Sequence, residues 1–216
     1  MRTFMALSLI ALGGGISLGQ QDKSQHWDFE DHAVGKLPPG FTAAQTGEGK
    51  GSVWKVVEDK SAPSGARVLA QTATGPRPLF NVCVIDATSY RDLQLSVALK
   101  AVEGEIDQGG GVVWRYMDAD NYYIARYNPL ENNCRLYKVV DGQRMQLASK
   151  EGLKAPAGEW HTLSITMKGD AIECSLNGQK HLNAKDETFA KAGMIGLWTK
   201  ADAQTYFDEV KAASIK

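Results

Sequence analysis

Alternation of apolar and polar residues with a period of two restricts this chain more than any other feature. Leu93-Gln94-Leu95-Ser96-Val97-Ala98-Leu99-Lys100 alternates, and so does Trp160-His161-Thr162-Leu163-Ser164-Ile165-Thr166-Met167-Lys168. Successive side chains of an extended strand point to opposite faces, so each segment reads as a strand half-buried against a core. The second segment runs through Gly169-Asp170 into Ile172-Glu173-Cys174-Ser175-Leu176 and ends on Asn177-Gly178, a pair that accepts the positive φ values of a type I′ turn. Leu136 to Val140, Asp141-Gly142, and Arg144 to Leu147 form a second hairpin by the same logic. Further strands are expected over 54–58, 68–71, 82–85, 112–116, 122–128, 194–198 and 205–211, about a dozen in all, with turn residues between them. The only helical candidate is the short stretch 186–190. The fold class expected is all-β, a two-sheet antiparallel jelly-roll sandwich.

The N-terminus reads differently. Met1-Arg2 is a positive start, residues 4–12 are apolar, and Gly13-Gly14-Gly15 leads to the small-x-small pattern Ser17-Leu18-Gly19. That is the anatomy of a secretory signal, too short to span a bilayer. Residues 1–19 are therefore expected to be removed, leaving 20–216 as one domain that ends in the periplasm or outside the cell. No other apolar run approaches a transmembrane segment. Charge is balanced, with 24 Lys and Arg against 25 Asp and Glu, which argues against a nucleic-acid partner. Three cysteines, Cys83, Cys134 and Cys174, allow at most one bridge. They read either as buried hydrophobes or as one disulfide plus a free thiol, with the pairing open.

Several motifs in order carry a family likeness. Gly158-Glu159-Trp160-His161-Thr162-Leu163 with the later Asn177-Gly178 resembles a LamG-type signature. Gly193-Met194-Ile195-Gly196-Leu197 followed by Phe207-Asp208-Glu209-Val210 is similar to the closing strands of concanavalin A-like jelly rolls. Between them, Gly109 to Arg115 and Asp120-Asn121-Tyr122-Tyr123-Ile124-Ala125-Arg126 resemble a run found in exported proteins of the 3-keto-disaccharide hydrolase-like kind. The likeness extends from about Trp27 to Val210. It implies the sandwich fold; the same fold carries lectins, glucanases and adhesion modules, so it does not fix an activity.

Three constellations are candidates for function. Glu30, in Asp28-Phe29-Glu30-Asp31, and Asp208, in Phe207-Asp208-Glu209, stand near the two ends of the domain. In the resembling carbohydrate-binding modules such positions supply ligands to a structural calcium ion, which takes about six to eight oxygens. The other reading is a pair of strand-end carboxylates, solvated or paired with Lys and Arg. The second constellation is a strip of aromatic, Arg and Asn residues from which Trp114, Arg115, Asn121, Tyr123, Arg126 and Glu131 are the candidate ligand-binding residues. Alternation sets Tyr122 opposite Tyr123, and Tyr116 with Trp114 opposite Arg115. Facing outward, such rings stack on a sugar while Arg and Asn donate to its hydroxyls; facing inward they are core. Arg115 and Arg126 also read as partners for Asp118, Asp120 or Glu131.

The third constellation is negative. Glu105-Ile106-Asp107 is similar to the start of the family 16 glycoside hydrolase signature, but Gly109 and Gly110 stand where the second glutamate belongs. Retaining hydrolysis needs both carboxylates, so a glucanase of that type is excluded. A nucleophile elbow and a phosphate loop are also missing, and His161 reads as oriented structure. Whether the chain is an enzyme is left open. The reading favoured is a non-catalytic binding module for a glycan or cell-surface ligand. A hydrolase or lyase of the 3-keto-disaccharide type, drawing on Glu131, Asp120, His161 and Arg126, is the alternative, and a structural surface or periplasmic protein the third.

Overall fold

A computed structural model describes residues 24–216; the expected signal, 1–19, lies outside the described residues. Among these there is no helix, and hence none long and apolar enough to cross a membrane. The stretch 186–190, expected as a helical turn, is irregular loop: its Asp186 side chain caps the backbone N–H of Thr188 at 2.9 Å, a local bond that competes with helix.

Fifteen strands form two antiparallel layers. The eight-stranded sheet contains β1 (Ser24–Trp27), β3 (Trp54–Glu58), β4 (Arg67–Gln71), β6 (Leu93–Glu103), β11 (His161–Lys168), β12 (Ala171–Leu176), β13 (Gln179–Lys185) and β15 (Gln204–Ser214). The seven-stranded sheet contains β2 (Phe41–Thr46), β5 (Phe80–Tyr90), β7 (Gly110–Asp118), β8 (Asn121–Asn128), β9 (Asn133–Val140), β10 (Gln143–Glu151) and β14 (Gly193–Lys200). The first runs β13-β12-β11-β6-β15-β4-β3, with β1 also pairing β15; the second runs β10-β9-β8-β7-β14-β5-β2. Strands β1, β2 and β13 were not legible in the sequence. Each is polar or weakly alternating and lies at a sheet edge or off the main path, where the ladder rather than a hydrophobic period defines a strand.

The alternation does what it promised in most places. Leu93, Leu95, Val97 and Leu99 point into the interface between sheets, as do Leu163, Ile165 and Met167 of β11. Asn177 and Asp141 take φ values of 50° and 48° and are each followed by a glycine at positive φ, so both hairpins turn as the Asn-Gly and Asp-Gly pairs dictate.

One place breaks the period. Arg115 has φ 44° and the β7–β14 register shifts by one residue between Val113 and Tyr116, a bulge that turns the following side chains over. Trp114 therefore packs in the inter-sheet core, while Tyr116 joins a second apolar cluster with Phe80, Val82, Tyr122, Ile124 and Trp198. The expectation that Tyr116 shares a side with Trp114 is corrected by that bulge. The second cluster covers the outer face of the seven-stranded sheet, and it is where the molecule concentrates unusual chemistry.

Candidate functional site

Strand β8 builds the first part of the site. It sends Tyr123, Ala125 and Tyr127 into the inter-sheet core and Tyr122, Ile124 and Arg126 to the outer face. Arg126 is only 2 % exposed, so its charge must be satisfied locally. Its Nη2 donates to the Glu131 carboxylate at 2.8 Å and the Tyr137 hydroxyl at 3.3 Å, and its Nη1 donates to Asn133 Oδ1 at 2.7 Å. The turn after β8 supplies Glu131, whose backbone N–H donates to Asn128 Oδ1 at 3.0 Å. Arg135 reaches the same carboxylate at 3.2 Å. Burial alone would raise the pKa of Glu131, but the bonds from Arg126 and Asn133 and the charge of Arg135 outweigh it and leave it below the usual range.

Arg144, on the edge strand β10, supplies the second cation. Its guanidinium carbon lies 4.4 Å from the ring centre of Tyr137, 5.1 Å from Phe80 and 6.0 Å from Trp198, distances at which a cation is attracted to an aromatic face. Burial lowers its pKa, opposed by Tyr137, Asp107 and Glu131 and assisted by the charge of Arg126; a guanidinium stays protonated through such shifts. Arg144 Nη1 and Arg126 Nε are both buried without a hydrogen-bond partner among the described residues. Such orphaned donors are rare in folded proteins and call for an explanation.

Asp107 completes the charged group. Asp202 accepts bonds from the backbone N–H groups of Glu105, Ile106 and Asp107 at 2.8, 3.1 and 3.0 Å. That fixes the turn so that the Asp107 carboxylate accepts from Asn128 at 2.9 Å and Lys200 at 3.1 Å. Glu105 and Asp107 thus belong to a turn held from behind, not to a catalytic strand.

Of the six residues expected at a ligand face, the structure brings Arg126 and Glu131 together as an ion pair and places the others elsewhere. Trp114 and Tyr123 stack on each other, with centroids 5.4 Å apart, inside the core and without solvent exposure. They present no surface to a ligand. Arg115 is carried by its bulge to the end of the sandwich, where it donates to the carbonyls of Arg91, Phe189 and Gly169 at 2.8, 2.7 and 2.9 Å and to Asp92 at 3.3 Å. Its acidic partner is Asp92 rather than Asp118 or Asp120. Asn121 braces the β7–β8 turn, donating to Asp118 at 2.9 Å and accepting from the Asp141 N–H at 3.2 Å. His161 is held between the Pro156 carbonyl and Asn177 at 2.9 and 3.1 Å.

Glu30 and Asp208 do converge, because β1 pairs β15. Glu30 Oε1 accepts the N–H groups of Ala66 and Arg67 at 2.9 and 2.7 Å, and the Asp208 carboxylate accepts the N–H and hydroxyl of Ser64 at 2.9 and 2.8 Å. A Cβ on Gly65 would stand 2.2 Å from the Glu30 carboxyl carbon, so the two side chains clasp a turn that only glycine fits. Partners of this kind are donors, whereas calcium needs a shell of oxygens. Among the described residues no group of three or more His, Cys, Asp and Glu is placed to hold a metal ion. As placed, the two carboxylates accept from the N–H and O–H groups of the turn, and a calcium shell around them would need further oxygens such as backbone carbonyls.

Sequence reasoning missed Arg144, Tyr137, Phe80, Trp198 and Lys200. Their alternation was readable, but not the curl of the sheet that brings β10 and β5 together across its outer face.

Two antiparallel sheets, one curled over a charged and aromatic outer face, place the protein among concanavalin A-like jelly rolls. The chain belongs to the 3-keto-alpha-glucoside-1,2-lyase-like domain family, whose model matches residues 35–212. A comparison with curated proteins found no match. Among solved structures, the carbohydrate-binding module CBM66 from Bacillus subtilis is similar at a TM-score of 0.63 and 18 % identity, covering 80 % of this chain and 94 % of its own. A β-glucanase of Bacillus licheniformis aligns at 0.62 and 11 %, covering 91 % and 100 %. Domain 4 of AbnA, a GH43 extracellular arabinanase from Geobacillus stearothermophilus solved with arabinotriose, aligns at 0.58 and 15 %, covering 89 % and 92 %. At these identities the likeness establishes the fold.

Proposed function

We propose that the protein is an exported module that holds carbohydrate against the outer face of its seven-stranded sheet. Arg144, which is partly exposed, donates to sugar oxygens there, and Arg126 with the rings of Tyr137, Phe80 and Trp198 packs beneath it. The observation that carries this reading is a partly exposed cation, that of Arg144, over aromatic rings; its Nη1, like the Nε of Arg126 and the Nε1 of Trp198 beside it, has no hydrogen-bond partner among the described residues. A sugar offers what they lack: oxygen acceptors on a ring with an apolar face. The carbohydrate-binding module and the arabinotriose-bound domain among the structural neighbours support the same ligand class. Export rests on the character of residues 1–19.

Binding is favoured over catalysis because the carboxylates of the face are committed. Glu131 is held ionised by Arg126 and Arg135, and Asp107 is paired with Lys200. The depressed pKa of Glu131 makes it a poor proton donor and a weak base at neutral pH. A glycan array probed with the purified protein tests the reading: saturable binding that falls at least tenfold in Arg126→Ala supports it, and no saturable binding to any polysaccharide refutes it.

Family membership favours a second reading, elimination or hydrolysis on a 3-keto-glucoside. In such a substrate the hydrogen beside the ketone is acidic, and its removal places negative charge on the ketone oxygen. Guanidinium donors would stabilise that charge, and Glu131 is the ionised group beside Arg126 to accept the proton. Release of free sugar from a 3-keto-glucoside, abolished by Glu131→Gln, would place this reading first.

A further inference from the structure

Cys134 and Cys174 bring their sulfurs to 3.6 Å in the centre of the sandwich. Cys134 stands on β9 of the seven-stranded sheet and Cys174 on β12 of the eight-stranded sheet. Neither is exposed. A bond between them would therefore join the two layers, which otherwise meet here only through packed side chains. Cys83, the third cysteine, is equally buried on β5, with three strands between it and β9 in the sheet order. Strands are spaced by about 4.8 Å, so roughly 19 Å of sheet separates it from the pair.

We propose that Cys134 and Cys174 form a disulfide that staples one sheet to the other when the chain folds under oxidising conditions, leaving Cys83 as a thiol. The chemistry is thiol–disulfide exchange with a disulfide oxidant, either a small molecule or a protein. One cysteine thiolate attacks the oxidant and releases one thiol, and the second thiolate displaces the other. Two protons leave the cysteines and two electrons pass to the oxidant. The sulfurs must close from 3.6 Å to about 2.0 Å, a shift that side-chain rotation on facing strands supplies.

The order of events follows from burial. In the finished sandwich no oxidant reaches the pair, and the hydrogen bond with Cys134 together with burial pushes the Cys174 thiol well above its ordinary pKa, which starves the exchange of thiolate. The bond therefore forms before the sheets seal. The two cysteines are 40 positions apart, so closing that loop in the unfolded chain is expected to raise the melting temperature by about 10 °C.

Refolding tests this directly. The reduced, unfolded chain is refolded in a mixture of reduced and oxidised glutathione, then unfolded in iodoacetamide and mapped by mass spectrometry. The expected result is a linked Cys134–Cys174 peptide, one alkylated cysteine at Cys83, and a melting temperature about 10 °C above that of protein refolded in reductant. The Cys83→Ala variant should give the same linkage, and Cys134→Ala/Cys174→Ala should melt at one temperature in either buffer. Three alkylated cysteines in the refolded protein, or a linkage through Cys83, would overturn the proposal.

Discussion

The guanidinium carbon of Arg144 lies 5.1 Å from the ring centre of Phe80, although four strands separate β10 from β5 in their sheet. Five inter-strand spacings amount to about 24 Å on a flat sheet, farther than an Arg and a Phe side chain reach together. The sheet is therefore curled, with the two residues meeting across its concave outer side. Thr46 of β2 and the Tyr122 hydroxyl of β8, 2.6 Å apart, make the same point from the other edge. This curvature gathers Arg144, Tyr137, Phe80 and Trp198 from distant strands onto one outer face.

Arg144→Met separates recognition from stability. The methionine keeps an apolar stem over Tyr137 and removes a buried cation whose Nη1 has no partner, so the folding free energy should change by less than about 1 kcal/mol. Glycan affinity should fall at least tenfold. Thermal melting together with titration calorimetry checks both halves; a variant that binds as well as the parent counts against the site.

Arg115 is expected to behave in the opposite way. It satisfies three backbone carbonyls and Asp92 at the end of the sandwich, tying turns of both sheets together. Arg115→Met leaves those acceptors buried without a donor and should cost about 3–5 kcal/mol in a urea titration. The concave face lies elsewhere, so the folded fraction should retain its glycan affinity.

Asp186 predicts an acid limb. Burial acts to raise its pKa, but Lys138, Thr188 and the Tyr123 hydroxyl outweigh it and bring it down to about 2. A folded-state value below the ordinary carboxylate value of about 3.9 gives stability that is present above that value and lost as pH falls toward 2. Asp186→Asn should be less stable than the parent by about 2 kcal/mol at pH 7, and the difference should shrink between about pH 5 and pH 2. Denaturation curves at stepped pH measure the gap; one that does not narrow would contradict the assignment.

The clasp of Glu30 and Asp208 on the Ser64–Arg67 turn predicts indifference to calcium. Both carboxylates already accept N–H or O–H groups, so millimolar calcium or a chelator should move the melting temperature by less than about 1 °C, whereas a saturated binding ion would shift it by several degrees. Gly65→Ala should be strongly destabilising, because its Cβ would overlap the Glu30 carboxylate.

Legibility in the sequence followed the physics of each element. Strands β6 and β11 bury one face and leave the other in water, so the period of two wrote them plainly. The Arg126–Glu131 pair was readable because the two lie five residues apart across a tight turn. Trp114 and Tyr123 were ambiguous, since alternation separates two faces without saying which faces water. The bulge at Arg115 leaves no compositional mark, and Arg144 needed the curl of seven strands to meet Phe80. Local rules see neither of these.

The face that binds can be read from the five tryptophans, whose indole N–H groups give separate signals in nitrogen-labelled protein. Trp198 lies on the concave face near Arg144, while Trp160 stands beside Lys100 on the outer side of the other sheet. Titration with arabinotriose, β-glucan oligosaccharides and a 3-keto-glucoside in turn should yield at least one ligand that shifts Trp198 and leaves Trp160 in place. A ligand that moves Trp160 and spares Trp198, or a set in which none moves Trp198, would contradict carbohydrate recognition by the curled sheet.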